Sequence, residues 1–294
     1  MLSIEDRIKY YIGKTKDPYV KPTLKTTGYD VPIAINLPTY RHNFHTIHPN
    51  TAYPIDVVRM GKHSSKPTLW FQCGDSPYTD YTWPVLVKIR DTKNKSSKGI
   101  IANLDSTRHL GDIFKITDIP WADKRDDWLW RGADTGRGIR LDFVRQFYQQ
   151  HDVGFSGYVQ DALICPELYP KHLLKPKVPP EHLLQCKYLP IIDGNDKSSS
   201  LGWILASNSL PLMPRPRYHS WLCEPWLEPG VHYVEVKRDF SDLVDKIQWC
   251  KDHDHECNVI ADNGKKFMMQ FTNPTQEEYI EKQIVTYINE QDLS

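Results

Sequence analysis

The chain has 294 residues, with 37 basic and 37 acidic side chains and a formal net charge of zero. That length allows two domains or one large α/β unit, either able to bury a sizeable core. The balanced charge excludes a broad nucleic-acid surface, which needs a basic excess, and no apolar run is long enough to span a bilayer.

Hydrophobic content of 39% and charged content of 25% are those of a globular protein. Nine Trp and sixteen Tyr either fill a loop-heavy core or offer flat ring faces, the shape that covers the apolar side of a pyranose. The six cysteines, Cys73, Cys165, Cys186, Cys223, Cys250 and Cys257, contain no C-x-x-C pair. Free, mostly buried thiols are therefore expected rather than a zinc or redox motif. Met1-Leu2-Ser3-Ile4-Glu5-Asp6 lacks the charged start and apolar stretch of a secretory signal. A cytoplasmic protein is the expectation, in the host cytoplasm if the chain is virus-encoded.

The spacing of Ser3 and Asp6 predicts a capped helix over 3–13. Residues 14–66, rich in Pro, Thr, Asn and Tyr, read as loops with short strands. Pro67–Cys73 is a strand broken by Gly74, and Asp75-Ser76-Pro77 a turn. Val85–Ile89 and Gly99–Leu104 are two more strands around a charged loop. In the second half Trp128–Trp130 reads as a strand, Leu141–Gln150 as a helix, and 166–180 as a Pro- and Lys-rich surface connection. A short helix at Glu181–Cys186, a strand at Tyr188–Ile192 and a helix at Ser198–Ser207 follow. A strand over 231–236 leads to a helix starting at Ser241-Asp242, with Leu243, Ile247 and Cys250 on one face. Two more helices close the chain. The last is expected to be capped by Thr275 with Glu278, and carries Ile280, Ile284, Tyr287 and Ile288 as its stripe. Alternating strands and helices predict a parallel sheet covered on both faces.

Three constellations carry candidate chemistry. In Trp130-Arg131-Gly132-Ala133-Asp134-Thr135-Gly136-Arg137-Gly138-Ile139-Arg140, a strand runs through three glycines and three arginines into a helix. Free helix N–H groups and Arg forks attract phosphate, and glycine admits a close ligand. The alternative is an ordinary strand-to-helix turn with solvated arginines. Asp193-Gly194-Asn195-Asp196-Lys197-Ser198-Ser199-Ser200 also joins a strand to a helix. It reads either as an anion cradle or as a helix start capped by Ser198 or Ser199. Asp75 follows a strand's carboxyl end, where open α/β sheets place ligands, although an aspartate serving a turn is the commoner case. Two groups resemble metal sites without the context of one. Asp252-His253-Asp254-His255-Glu256 falls at a helix end, and His42, His45 and His48 lack a fourth ligand nearby.

The order and spacing of these pieces resemble glycosyltransferase family 90, which holds protein O-glucosyltransferases and capsule xylosyltransferases. The resemblance runs from about Leu69 to Phe267. It rests on Asp75-Ser76-Pro77, Pro120-Trp121 through Trp130-Arg131-Gly132, Cys186-Lys187-Tyr188, Asp193-Gly194 with Ser198, Ser209-Leu210, Pro229-x-Val231-His232-Tyr233-x-x-Val236-Lys237 and Asp239-x-Ser241-Asp242-Leu243.

The resemblance implies an α/β GT-B fold of two Rossmann-like domains. Residues 1–118 would bind the acceptor, 119–273 the UDP-sugar, and 274–294 would form a helix returning to the first domain. It implies inverting transfer of xylose or glucose from UDP-xylose or UDP-glucose to a hydroxyl of a glycan or glycoprotein acceptor. No cofactor or metal would be required. Asp75 matches the family's catalytic base. Arg140 is the nearest match, one residue offset, to its diphosphate-binding Arg, and Ser198 matches the donor-loop Ser. The donor contacts would come from Arg131, Gly132, Ala133, Arg137, Arg140, Gly194, Lys197, Ser198, Ser199 and Ser200. Two positions depart from the pattern: Ala133 stands where the family has Ser, and Ser200 where animal members have Arg. Arg137 and Lys197 are the replacements suggested by position. Trp70, Tyr78, Tyr81 and Trp83 surround the base as acceptor candidates. With no signal in a compact chain, the resemblance points to a virus-encoded xylosyltransferase, of the kind found in large algal viruses. The alternative is a non-catalytic glycan-binding or scaffold protein on the same fold.

Overall fold

A computed structural model describes residues 2–13, 33–36, 53–72, 81, 83–92, 99–104, 106 and 113–291. In chain order the elements are α1 (Ile4–Ile12), β1 (Ile33–Asn36), α2 (Tyr53–Gly61), β2 (Thr68–Phe71), β3 (Leu86–Val87), β4 (Ile89–Asp91), β5 (Ile100–Ile101), β6 (Arg125–Ala133), α3 (Ile139–Phe147), β7 (Asp152–Gly157), α4 (Asp161–Ile164), α5 (Pro180–Leu183), β8 (Cys186–Pro190), α6 (Ser200–Leu205), β9 (Leu210–Met213), β10 (Tyr218–Ser220), β11 (Val234–Glu235), α7 (Leu243–Asp252), α8 (Asp254–Met269) and α9 (Pro274–Glu290). They fall into two compact units. One comprises Met1–Gly111, Arg217–Glu224 and Gln270–Ser294, the other Asp112–Pro216 and Pro225–Met269.

In the first unit the strands run in the order β1-β2-β3-β5, antiparallel at β1–β2 and parallel thereafter. Leu69, Phe71, Leu86, Val87, Ile100 and Ile101 are buried, as apolar residues on short strands must be to repay the ordering of the chain. β10 adds to β4 as a separate antiparallel pair, joined by the Arg217–Asp91 ion pair at 2.6 Å. Ser3 caps α1, its Oγ accepting from the Asp6 amide at 3.0 Å. Arg7 is 2% exposed and grips both Glu277 oxygens on α9, at 2.7 and 2.8 Å. Its guanidinium also lies 4.6 Å from the centre of the Phe271 ring.

Two expectations for this unit need correction. The stretch read as loops and strands contains α2, with Tyr53, Val57 and Met60 buried at helical spacing. Only a short periodic pattern marks it, and the Pro-rich flank hides that pattern. The last helix is capped by Asn273 rather than Thr275, because the Asn273 Oδ1 accepts from the Thr275 and Gln276 amides at 3.1 and 3.2 Å. With Pro274 at the first helical position, whose fixed φ suits a helix start, the cap falls two residues earlier. Ile280, Ile284 and Ile288 form the buried stripe, while Tyr287 is half-buried.

The second unit is built on a parallel five-stranded sheet in the order β11-β9-β8-β6-β7. Trp128, Trp130, Phe143, Phe147, Phe155 and Phe240 share its core. Phe143 meets Trp128, Trp130, Phe147 and Phe240 at ring-centroid distances of 4.9 to 6.5 Å, largely in the edge-to-face range. Two strands are additions to the sequence reading: β7, which contains two glycines, and β9, where a short apolar run offers no periodicity. β11 is shorter than expected, and α6 begins at Ser200 with no side-chain cap bond from Ser199.

The described cysteines are free thiols, all buried except the half-buried Cys165. Among the described residues no helix is long and apolar enough to cross a membrane.

Candidate functional site

Neighbouring parallel strands deliver their following loops to one edge of a sheet, the edge where α/β proteins bind ligands. Strands β8, β6 and β7 are neighbours in that order, so the loops after them meet at their carboxyl ends.

The β6 loop begins with Asp134, which is fully buried. Its carboxylate accepts from the amides of Val159 at 2.5 Å, Gln160 at 3.1 Å and Ala162 at 2.7 Å. A charged acceptor with several amide donors satisfies its own desolvation and holds the β7 loop against the β6 loop. The β8 loop is held from two sides. Asn195 Oδ1 accepts from the Gly136 amide at 3.2 Å, and its Nδ2 donates to Gln160 Oε1 at 2.8 Å. Gly136 has φ +103°, and a Cβ there would stand 3.2 Å from the Asp193 carbonyl oxygen. Glycine is thus required for both the turn and the approach.

Arg140, on the first turn of α3, joins two of these loops. Its Nε donates to Asp193 O at 3.2 Å, Nη1 to Ala133 O at 3.1 Å and Thr135 Oγ1 at 2.9 Å, and Nη2 to Ile192 O at 3.1 Å. Four of the five guanidinium N–H groups are thereby used. Burial pushes the Arg140 pKa down, against the pull of Asp193, Asp196, Asp161 and Asp134. Burial also dominates at Asp193, whose carboxyl is pushed up to about 6 although it accepts from the Ser198 amide. Asp161 Oδ2 accepts from the Gly138 amide at 3.2 Å and from Tyr169 OH at 3.4 Å, placing a carboxylate at the start of α3.

The expected donor residues distribute unevenly. Arg137, Arg140, Gly194, Ser198, Ser199 and Ser200 lie on the two facing loops. Ala133 contributes its carbonyl oxygen to Arg140. Arg137 is exposed in the left-handed region at φ 53°, and Ser199 is exposed. Lys197 is buried at 5% exposure. Ser198 and Ser200 share a hydroxyl hydrogen bond of 2.8 Å. Arg131 is committed elsewhere, with bonds to the Asp152 carboxylate at 2.6 Å and to the carbonyls of Trp130, Asp152 and Pro176. Gly132 lies between the two on β6, opposite Phe155.

Sequence reasoning missed Asp134, Gln160, Asp161 and Asn195. Asp134 and Asn195 stand inside the two motifs as ordinary turn residues, and Gln160 and Asp161 carry no local signal. Only the pairing of β6 with β7 makes them partners.

Asp75 and Tyr78 lie outside the described residues, as do His42, His45 and His48. Trp70 is half-buried and meets Trp83 edge-on at 6.0 Å. Tyr81 is buried, its hydroxyl donating to Gln72 at 3.0 Å. The Trp83 indole N–H is buried with no acceptor among the described residues. At the acidic helix end, Asp254 takes hydrogen bonds from Lys187 and Trp121 at 2.7 and 3.1 Å, and His253 stacks on Trp249. Lys187 and Ser209, which also belong to the family-like pattern, serve the scaffold. Lys187 pairs with Asp126 and Asp254, and Ser209 Oγ donates to Cys186 O at 2.8 Å.

The sequence matches the glycosyl transferase family 90 profile over residues 69–290. It is 33% identical to an O-glucosyltransferase LpsA of Dichelobacter nodosus over 66% of this chain and 58% of the relative. With protein O-glucosyltransferase 2 of Danio rerio it shares 26% identity, over 73% of this chain and 41% of the relative. With protein 035R of Invertebrate iridescent virus 3 it shares 28% identity, over 50% of this chain and 15% of the relative. The chain thus spans less than two thirds of the length of each of these relatives. The profile match covers most of the chain, and the stapled loops sit inside it; this protein belongs to glycosyl transferase family 90.

Proposed function

We propose that this protein transfers a sugar from a UDP-sugar to a hydroxyl of a glycan or glycoprotein acceptor, with inversion and without a metal ion. The observation that carries the reading is the Arg140 staple, which holds two glycine-containing loops together at the carboxyl ends of parallel strands in a family 90 chain. The GT-B architecture implied by the resemblance belongs to the same proposal.

In this reading Asp75 takes the proton of the acceptor hydroxyl as it attacks the anomeric carbon, help worth roughly 10²–10⁴ in rate. The UDP leaving group departs from the opposite face. The exposed Arg137 meets its growing charge, while Arg140 keeps the loops in place with one N–H to spare. Fixed donors of this kind act without reorganising during the reaction. Two relatives carry O-glucosyltransferase in their names, so UDP-glucose is the first donor to test, with UDP-xylose beside it.

The commitment of Arg140 to four protein oxygens, with Ala133 in place of a serine, favours a second reading as a non-catalytic glycan-binding protein. A UDP-release assay with both donors, run with and without EDTA, separates the two. The enzyme reading expects turnover that persists in EDTA and is abolished by Asp75→Asn with UDP binding retained. Turnover at the native rate in Asp75→Asn would remove Asp75 as the base, and a chain that binds no UDP would leave the glycan-binding reading standing.

A further inference from the structure

Four large aliphatic side chains stand in solvent within residues 159–168. Val159 is 57% exposed, Leu163 74%, Ile164 73% and Leu168 41%. Apolar side chains scattered singly over a surface need no explanation, but a contiguous group of this kind marks a contact face. We propose that this face docks the protein on an anionic lipid surface.

The segment is built to hold these side chains outward. Asp134 accepts from the amides of Val159, Gln160 and Ala162, and Arg145 Nη2 donates to Leu168 O at 2.9 Å. Tyr158 OH donates to Pro170 O at 2.7 Å. Ala162 and Tyr169 turn inward, at 5% and 6% exposure. The segment therefore has an apolar inner side in the core and a second apolar side with nothing of its own unit over it.

The charge around the outer side selects the occupant. Arg145, Lys171 and Lys177 are exposed, and none has an ion-pair partner among the described residues. Of the two acidic residues between Val159 and Lys177, Asp161 is engaged by Gly138 and Tyr169, leaving Glu167 as the exposed one. An apolar tip rimmed by cations matches the boundary between acyl chains and anionic headgroups, where a protein lies on a membrane without spanning it. Each cation near such a surface contributes about 1 kcal/mol, a roughly fivefold change in partitioning that salt weakens.

The test is flotation of the full chain with phosphatidylcholine vesicles, with and without phosphatidylglycerol, at low and high salt. Binding to the phosphatidylglycerol vesicles is expected, reduced by salt. Lys171→Glu and Lys177→Glu should each weaken it by about fivefold or more. The double variant Leu163→Ser/Ile164→Ser should lose binding at either salt while keeping the native melting temperature. The proposal is overturned if the native chain floats with neither vesicle, or if the variants partition like it. It is equally overturned if the native chain is a dimer in gel filtration that the serine variant converts to a monomer, since a second copy would then occupy the face.

Discussion

The Arg140 guanidinium donates to the carbonyl of Asp193 at 3.2 Å, joining the turn of the helix after β6 to the loop after β8. The same side chain reaches Ile192, Ala133 and Thr135. Two loops that each looked suited to an anion are therefore one hydrogen-bonded body, and several properties of the site depend on this link.

Replacing Arg140 with lysine keeps the charge but supplies a point donor in place of a planar fork. Carbonyl oxygens at Ala133, Ile192 and Asp193 would then compete for one ammonium group. Arg140→Lys should destabilise the protein by about 2–3 kcal/mol and weaken UDP binding by more than tenfold. Denaturant unfolding and calorimetric titration with UDP check the two effects.

The glycines at 136 and 138 separate backbone strain from crowding. Gly138 has φ +93° with open space where a Cβ would stand, whereas Gly136 combines φ +103° with contact to the Asp193 carbonyl oxygen at 3.2 Å. Gly138→Ala should cost about 1 kcal/mol from conformation alone, and Gly136→Ala about 2 kcal/mol or more. Equal losses in thermal unfolding would show that the close approach contributes nothing.

Asp193 gives stability a pH dependence. Its carboxyl is pushed up to about 6 by burial, against about 3.9 in an unfolded chain. Between those values the folded state holds the proton more tightly. The contribution is fully present below about pH 4 and is lost as pH rises through about 6. Asp193→Asn keeps an acceptor for the Ser198 amide without the buried charge. It should match the native protein near pH 4 and exceed it by about 2 kcal/mol near pH 7.5. Unfolding measured across that range reads both the sign and the size.

Asp134 should be intolerant of even a conservative change. Its two oxygens accept from three amides, and an asparagine would turn one of them into a competing donor. Asp134→Asn should cost about 2–3 kcal/mol and speed hydrogen exchange at Val159, Gln160 and Ala162 more than in the β8 strand.

The sequence by itself determined the parallel character of the second sheet, the two glycine-containing loops and the family. These are readable because strand alternation with helices, turn chemistry and motif spacing are local or ordered along the chain. The capping of α1 by Ser3 and the buried stripe of Ile280, Ile284 and Ile288 were legible for the same reason. Tertiary structure alone decided which charged groups face a ligand and which hold the scaffold. Arg131 and Arg140 sit in one motif, yet Arg131 pairs with Asp152 while Arg140 staples loops. Asp134 and Asn195 read as turn residues until β7 is placed beside β6, which brings Gln160 to both. Such roles depend on residues distant in sequence that become neighbours only when strands pair, because desolvation leaves each buried polar group one or two partners and packing chooses them.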